Sequence, residues 1–256
     1  MRQIKPSALR LAIISDIHED IGSLKKIIGK IERLGYDQLV CLGDIAGFSV
    51  PHYTYRKTRN AHECLSILRE KNCMIVPGNH DYHSAQVIPV NSAIFDFPDN
   101  WYELDYQQRK ESGKNEIWLH EEDNLDPLYT SEDIEYIRSL PEYFTLNHKG
   151  SNILFSHYAY PNLSGFKKGF YTRPEEFRPH FEFMEKHDCS ISFTGHAHIR
   201  GAYTVSQGHF KHHRYKTISL KNFPICIGIS SITKHENRSG FCKFDLERSI
   251  LQVIKC

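Results

Sequence analysis

The sequence predicts an α/β fold, and three observations carry that prediction. Short apolar runs end repeatedly in Asp, Asn or His: residues 11–14 before Asp16, 39–42 before Asp44, 74–76 before Asn79, 153–155 before His157 and 191–193 before His196. A strand that delivers a polar side chain to the carboxyl edge of a sheet reads this way. Helical periodicity separates the first three runs, and two βα units in succession imply parallel strands with right-handed crossovers. The second half, by contrast, is rich in short strand-like runs.

Taken in order, the first run leads into Ile21, Leu24, Ile27, Ile28, Ile31 and Leu34, which fall on one helical face before Gly35 supplies a stop. A strand at 38–42 ends at Asp44, a helix at 58–69 carries Ala61, Leu65 and Leu68, and a strand at 73–76 leads to Asn79. From about 85 to 130 the rhythm breaks: Phe95, Phe97, Trp101, Tyr102, Tyr106 and Trp118 occur without a strong period. This stretch is read as an insertion or cap, mainly packing its aromatics on the body, with a substrate-facing lid as the alternative. Thr130 and Asp133 form a capping-box variant for a helix that Pro141 stops. Strands are expected at 153–155, 190–193, 201–205, 224–229, 241–244 and 251–254, with a helix at 174–187. No repeat or linker divides the chain, so residues 1–256 are read as one domain.

At 256 residues the chain can bury a substantial core, and 32 basic against 31 acidic residues give no global field for nucleic acid. Seven cysteines without C-x-x-C spacing read as reduced, mostly buried thiols. No segment approaches the ~18 apolar residues of a membrane span. A cytoplasmic protein is the expectation.

The motifs at the strand ends are Asp16-Ile17-His18, Gly43-Asp44, Gly78-Asn79-His80-Asp81, His157 and Gly195-His196-Ala197-His198. Each alone is weak, since Gly-Asp is a common turn and a lone His is more often a core residue. Five in order at strand ends are far more specific. Two metal ions ~3.5–4 Å apart can activate a bridging hydroxide and clamp a phosphate for in-line displacement. One carboxylate must then bridge them, and Asp44 is the candidate. Asp16, His18 and His198 would complete one ion's shell; Asn79, His157 and His196 would complete the other's. Mixed oxygen and nitrogen ligation suits Mn²⁺ first, with Fe, Zn²⁺ or Ni²⁺ as alternatives, over Mg²⁺. His80 is assigned a catalytic role, an imidazolium that stabilises phosphate charge or protonates the leaving oxygen. Asp81 is expected to accept from its other ring nitrogen and raise its pKa.

These residues resemble the calcineurin-like metallophosphoesterase superfamily: D-x-H, G-D, G-N-H-D, a strand-end His, then G-H-x-H, over nearly the whole chain. Within it, LGDIAGFSVP, SEDIEYIRSLP and GISSITKHENRSGFCKFD are similar to a small bacterial and archaeal phosphodiesterase group with dinucleoside-tetraphosphatase-like members. The resemblance implies two β-sheets packed as a sandwich flanked by helices, with a dinuclear centre at their edge. It carries the ligand roles onto Asp16, His18, Asp44, Asn79, His157, His196 and His198, and the proton-donor role onto His80. It implies a hydrolase acting on phosphodiester or nucleotide-polyphosphate bonds of a small molecule or nucleotide. The alternatives are a phosphomonoesterase on metabolites or phosphoproteins and a non-catalytic scaffold. Three departures stand out: Glu19, expected to add negative charge at the site mouth; Tyr158, expected to narrow the pocket; and Ser230-Ser231 in place of a Pro-Gly-Ser turn. The G-D-x-x-D-R-G and G-N-H-E forms of protein phosphatases are absent.

Residues 209–216 are basic and aromatic, read as a solvated hairpin with a phosphate- or nucleic-acid-contacting edge as the sharper alternative. Arg200 is read chiefly as a surface ion-pair residue, with contact to a substrate phosphate as the alternative, and His52 and His83 as candidates to support a ligand.

Overall fold

The structure is a computed structural model that describes residues 9–148, 150–206, 208–233 and 239–256, so part of the 228–245 motif lies outside the described residues. The N-terminal half runs β1 (Arg10–Ile14), α1 (Ile21–Leu34), β2 (Gln38–Cys41), a two-residue strand β3 (Phe48–Ser49), α2 (Ala61–Glu70) and β4 (Met74–Ile75). Asp20 starts α1 by accepting from Ser23 N at 2.9 Å, and the five isoleucines and leucines on one face are buried. Helix α2 begins later than the sequence predicts because Asn60, in extended conformation, caps it and accepts from Glu63 N at 3.0 Å. Then follow α3 (Asn79–Ala85), α4 (Tyr106–Ser112), β5 (Asn124–Leu125), which pairs with β3, and α5 (Ser131–Ser139). The capping box of α5 forms as expected, with Thr130 N donating to Asp133 Oδ2 at 2.7 Å.

The C-terminal half contains β6 (Tyr143–His148), β7 (Ser151–Ser156), a 3₁₀ turn (Pro174–Phe177), α6 (Arg178–Lys186) and β8 (Cys189–Thr194). It ends with β9 (Ala202–Ser206), β10 (His209–His213), β11 (Thr217–Ser219), β12 (Ile225–Ile229), β13 (Gly240–Asp245) and β14 (Ile250–Lys255). The helix expected at 174–187 divides because Pro179, which has no N–H, sits in the first turn of α6.

Two six-stranded mixed sheets result, in the orders β11-β14-β13-β1-β2-β4 and β10-β9-β12-β8-β7-β6. Strands β1, β2 and β4 are parallel in the first, and β7, β8 and β12 in the second. Leu11, Ile13, Val40 and Leu42 from the first sheet meet Phe155, Phe193 and Ile227 from the second in one buried cluster. Phe193 bridges them, with Phe155 at 5.7 Å and Phe244 at 5.4 Å between ring centroids. The alternate residues Ala12, Ile14 and Cys41 face the other way onto α1, α2 and α5, which explains the continuous apolar runs. Helix α6 covers the second sheet through Met184 against Leu154 and Cys189. The architecture is α/β, with mixed sheets packed face to face and helices outside. Six of the cysteines are buried and all seven are free. Among the described residues no helix is long and apolar enough to cross a membrane.

Candidate metal centre

Loops after β1, β2, β4, β7 and β8 meet at one end of the sandwich and bring Asp16, His18, Asp44, Asn79, His80, His157, His196 and His198 together. Asp16, His18, Asp44, His196 and His198 all have positive φ, between 45° and 65°. Non-glycine residues there cost on the order of 1–3 kcal/mol each and persist only where the surroundings enforce them. Backbone bonds do so here: Asp16 N to Gly43 O at 2.9 Å, His18 N to Asp44 O at 2.9 Å, and Gly195 N to His157 O at 2.8 Å. Two glycines clear the space. A Cβ at Gly78 would overlap the Asp44 carboxylate and the His157 ring; one at Gly47, whose φ is 99°, would overlap His80.

Carbonyl partners fix the histidine tautomers. His157 Nδ1 donates to Leu42 O at 2.6 Å and His18 Nδ1 to Gly47 O at 2.8 Å. A carbonyl can only accept, so the proton sits on Nδ1 and Nε2 turns its lone pair inward. His157 Nε2 there faces His196 Nδ1 at 3.1 Å, and His18 Nε2 faces His198 Nε2 at 2.9 Å. Asp44 lies between the pairs: its Oδ2 is 3.3 Å from His157 Nε2 and 3.9 Å from His18 Nε2, while Oδ1 is held by His80 N at 3.0 Å. Asp16 Oδ2 accepts from His196 N at 3.0 Å and its Oδ1 lies 3.3 Å from His198 Nε2, while the Asn79 Oδ1 is buried without a hydrogen-bond partner. Three triads place their donor atoms within 4.8 Å of one another: Asp16–His18–His198, Asp44–His157–His196 and His18–Asp44–His80. Facing lone pairs repel unless a proton or a metal ion lies between them, so this donor set fits divalent cations.

Protonation follows the same geometry. Burial resists charge on His157, but Asp44 outweighs it and lifts the imidazole to about 9. Burial likewise resists ionisation of Asp16, yet His198 brings it to about 2, and Asp44 is held well below the usual carboxylate range by His157. Burial lowers His18 to about 4 and His196 to about 3. A proton on His157 beside Asp44 occupies the place a cation would take.

Over this floor lies a cleft of about 520 Å³ walled by Tyr53, Trp118, Glu121, Asp123 and Phe170. Trp118 sits 4.3 Å from the His80 ring, Tyr53 5.2 Å from His18 and Phe170 5.3 Å from His196, between centroids. Sequence reasoning missed all three as cleft residues; only the position of the 85–130 stretch after the third motif hinted at Trp118. Most of that stretch's aromatics pack instead around Trp101 and Phe166, while Trp118, Leu119, Glu121, Asp123 and Asn124 form the wall.

Several expectations need correction. Asp81 does not meet the His80 ring; it accepts from Ile45 N, Ala46 N and Gly78 N at 2.9–3.2 Å. Successive helical residues point ~100° apart, so neighbours at the start of α3 diverge. His80 is accordingly not raised: burial drives it well below its ordinary value, leaving it neutral. Glu19 is not at the mouth but fully buried, paired with Arg59 at 3.1 Å, and burial lifts it to about 7. Tyr158 does not line the cleft; its hydroxyl accepts from Tyr171 N at 2.6 Å while its ring backs His196 at 4.9 Å. Ser230 and Ser231 are buried, in a loop joined to β1 through Ile232 N and Ser15 O at 2.9 Å. His52 is exposed at the cleft rim, and His83 stacks on His120 behind Trp118. The 209–213 segment is the outermost strand of its sheet, as a hairpin with β9.

Known proteins resemble this chain in fold and in family. The chain is 25% identical over 248 residues to an uncharacterized protein of Methanocaldococcus jannaschii, covering 96% of this chain and 86% of that one. The fold matches a metallophosphoesterase of Sphaerobacter thermophilus with a TM-score of 0.65 at 15% identity, over 97% of this chain and 88% of the other. It matches a hypothetical protein of Pyrococcus horikoshii OT3 with a TM-score of 0.58 at 14% identity, over 96% and 87%. The family model described as calcineurin-like phosphoesterase matches residues 9–200, the span from β1 through the last paired histidines. With that model covering most of the chain and every strand-end donor on one edge, the chain belongs to the calcineurin-like phosphoesterase family.

Proposed function

We propose that the chain is a dinuclear-metal-dependent hydrolase of phosphodiester or nucleotide-polyphosphate bonds. The observation that carries this reading is the pairing of tautomer-fixed imidazoles on either side of one carboxylate oxygen, Asp44 Oδ2. Asp16, His18 and His198 would hold one ion and Asn79, His157 and His196 the other, with Asp44 shared and Mn²⁺ the first choice. When bound, such ions supply Lewis-acid charge at the phosphoryl group and a water of lowered pKa.

The remaining chemistry belongs to the chain. The Gly47 and Leu42 carbonyls orient His18 and His157, and the His80 amide orients Asp44. Asp81 is a positioning residue, tying the loop after Asp44 to the start of α3 through three backbone amides. The neutral His80 ring donates an N–H to a phosphoryl or leaving oxygen, with Trp118 closing its other side to water. The chain acts as one domain in this reading, with residues 85–130 contributing the cleft wall, and its unpaired cysteines suit a cytoplasmic setting. The scaffold alternative drew on crowding by Glu19 and Tyr158, and neither side chain lines the cleft.

The test is hydrolysis of bis-p-nitrophenyl phosphate and p-nitrophenyl phosphate by metal-stripped protein reloaded with Mn²⁺. Diester cleavage that requires metal supports the reading. A monoester preference turns it into a phosphatase, and no turnover of either ester with two ions bound overturns it.

A further inference from the structure

We infer that the cleft selects phosphodiesters whose non-leaving alcohol carries a positive charge, as an amine or a quaternary ammonium. The inference rests on the phosphodiesterase reading above and specifies the second arm of the substrate. The floor marks where the phosphate end must lie. Asn79 Oδ1, on a side chain only 1% exposed, is unpartnered there beside the facing imidazoles. The wall around that floor carries aromatic rings and two carboxylates, together with His52, Ser49 and Asn124. Trp118 and Phe170 stand beside His80 and His196, and Phe170 is 51% exposed, so its ring is open to a ligand. Glu121 and Asp123 line the same cleft at its exposed rim. Among the described residues the lining contains no lysine or arginine.

Aromatic faces beside carboxylates attract a cation in two ways, through the ring quadrupole and through direct charge. The same rim repels a chain of further phosphates, whose charges would lie within the ~10 Å reach of unscreened carboxylates at moderate salt. A zwitterionic diester meets both conditions: its anionic phosphate goes to the floor and its cationic arm to the wall. The nucleotide-polyphosphate branch of the proposed function fits this rim poorly, and the diester branch fits it well.

The experiment compares p-nitrophenyl phosphocholine with ethyl p-nitrophenyl phosphate on the Mn²⁺-loaded protein. Both diesters release p-nitrophenolate to water, so the ratio of their kcat/KM values reports the retained arm alone. The choline ester should be favoured about tenfold, the size expected from one cation–π contact and two exposed charges. Glu121→Gln with Asp123→Asn should collapse that ratio mainly through KM, Trp118→Leu should reduce it, and added salt should shrink it. A ratio near one, or a ratio that the double neutralisation leaves unmoved, overturns the inference even if bis-p-nitrophenyl phosphate is cleaved well. Should no ester turn over, calorimetry of phosphocholine against methyl phosphate decides separately. Tighter phosphocholine binding that the double variant loses upholds the inference while the hydrolase reading falls, and equal binding sinks both.

Discussion

Two fully buried histidines, His157 and His180, are equally hidden and do opposite things. His180, on α6, has both ring nitrogens satisfied: Tyr160 N donates to Nδ1 at 3.0 Å and Nε2 donates to Ser192 Oγ at 2.8 Å. His157 has one nitrogen committed to the Leu42 carbonyl, and the other points at Asp44 Oδ2 and His196 Nδ1, neither of which offers a fixed donor. Their pKa values move in opposite directions for that reason: burial takes His180 down to about 3, whereas the adjacent Asp44 lifts His157 to about 9 against burial. A buried imidazole is a core residue when its hydrogen-bond account is closed and a ligand candidate when a lone pair is left over.

The largest effect should come from the oxygen both histidine pairs share. Asp44→Asn keeps the shape but removes the charge, and should lower Mn²⁺-dependent diester turnover by about a thousandfold with loss of bound metal. Metal analysis beside the rate assay checks it, and a variant that still binds two ions would mean that Asp44 bridges nothing. His80→Asn should cost about a hundredfold in kcat while both ions stay bound. If metal content falls as far as turnover, the His18–Asp44–His80 triad is a third ligand set and His80 belongs to it.

The comparison itself breaks or holds on a pair of matched substitutions. His157→Gln should weaken metal binding by roughly a hundredfold. His180→Gln should leave metal stoichiometry alone but cost about 1–3 kcal/mol of stability, since Tyr160 N and Ser192 Oγ lose well-placed partners. Denaturant unfolding and metal titration on both variants read the two axes separately. Similar profiles for the two would erase the distinction.

How much of this was legible in the sequence depends on the kind of contact. The strand-end donors could be read because each follows an apolar run, and a strand's direction is a local property. The α5 capping box could be read because Thr130 and Asp133 lie within one turn. Strand β6 was missed, since Tyr143–His148 exists only by pairing with β7 and carries half-buried side chains without a strong pattern. Glu19 was misplaced because the left-handed residues at 16, 18 and 19 turn the chain, so alternation no longer predicts direction. Asp81 was misassigned because adjacency in sequence was taken for contact, where a helix start separates neighbours. Trp118 and Phe170 reach the cleft from segments with no period at all, and only folding brings them there.

Acid should expose the His180 side of the comparison more gently. Its folded pKa of about 3 lies below the ordinary 6.5, so the unfolded chain binds the extra proton across that window. The stability His180 contributes is complete above pH 6.5 and is lost as pH falls towards 3, at up to about 1.4 kcal/mol per pH unit. The stability of His180→Gln should therefore fall less steeply between pH 6.5 and 5 than that of the parent chain, both metal-loaded. Parallel slopes would show that the ring is protonated without unfolding.

The smallest effect is expected at the basic hairpin. Strand β10 lies at the outer edge of its sheet, and the groove beside it is lined by His209, Lys211, Ser219 and Lys221. None of these lines the metal cleft, and Lys211 is exposed. Neutralising Lys211, Arg214 and Lys216 together should change kcat/KM for short diesters by less than about twofold, as for exposed charges remote from chemistry. Assays on a dinucleotide and on a long oligonucleotide measure it. A loss confined to the long substrate would mean that the polyanion runs from the cleft along β9 and β10, because only a ligand spanning both regions can feel charges that a small diester never meets.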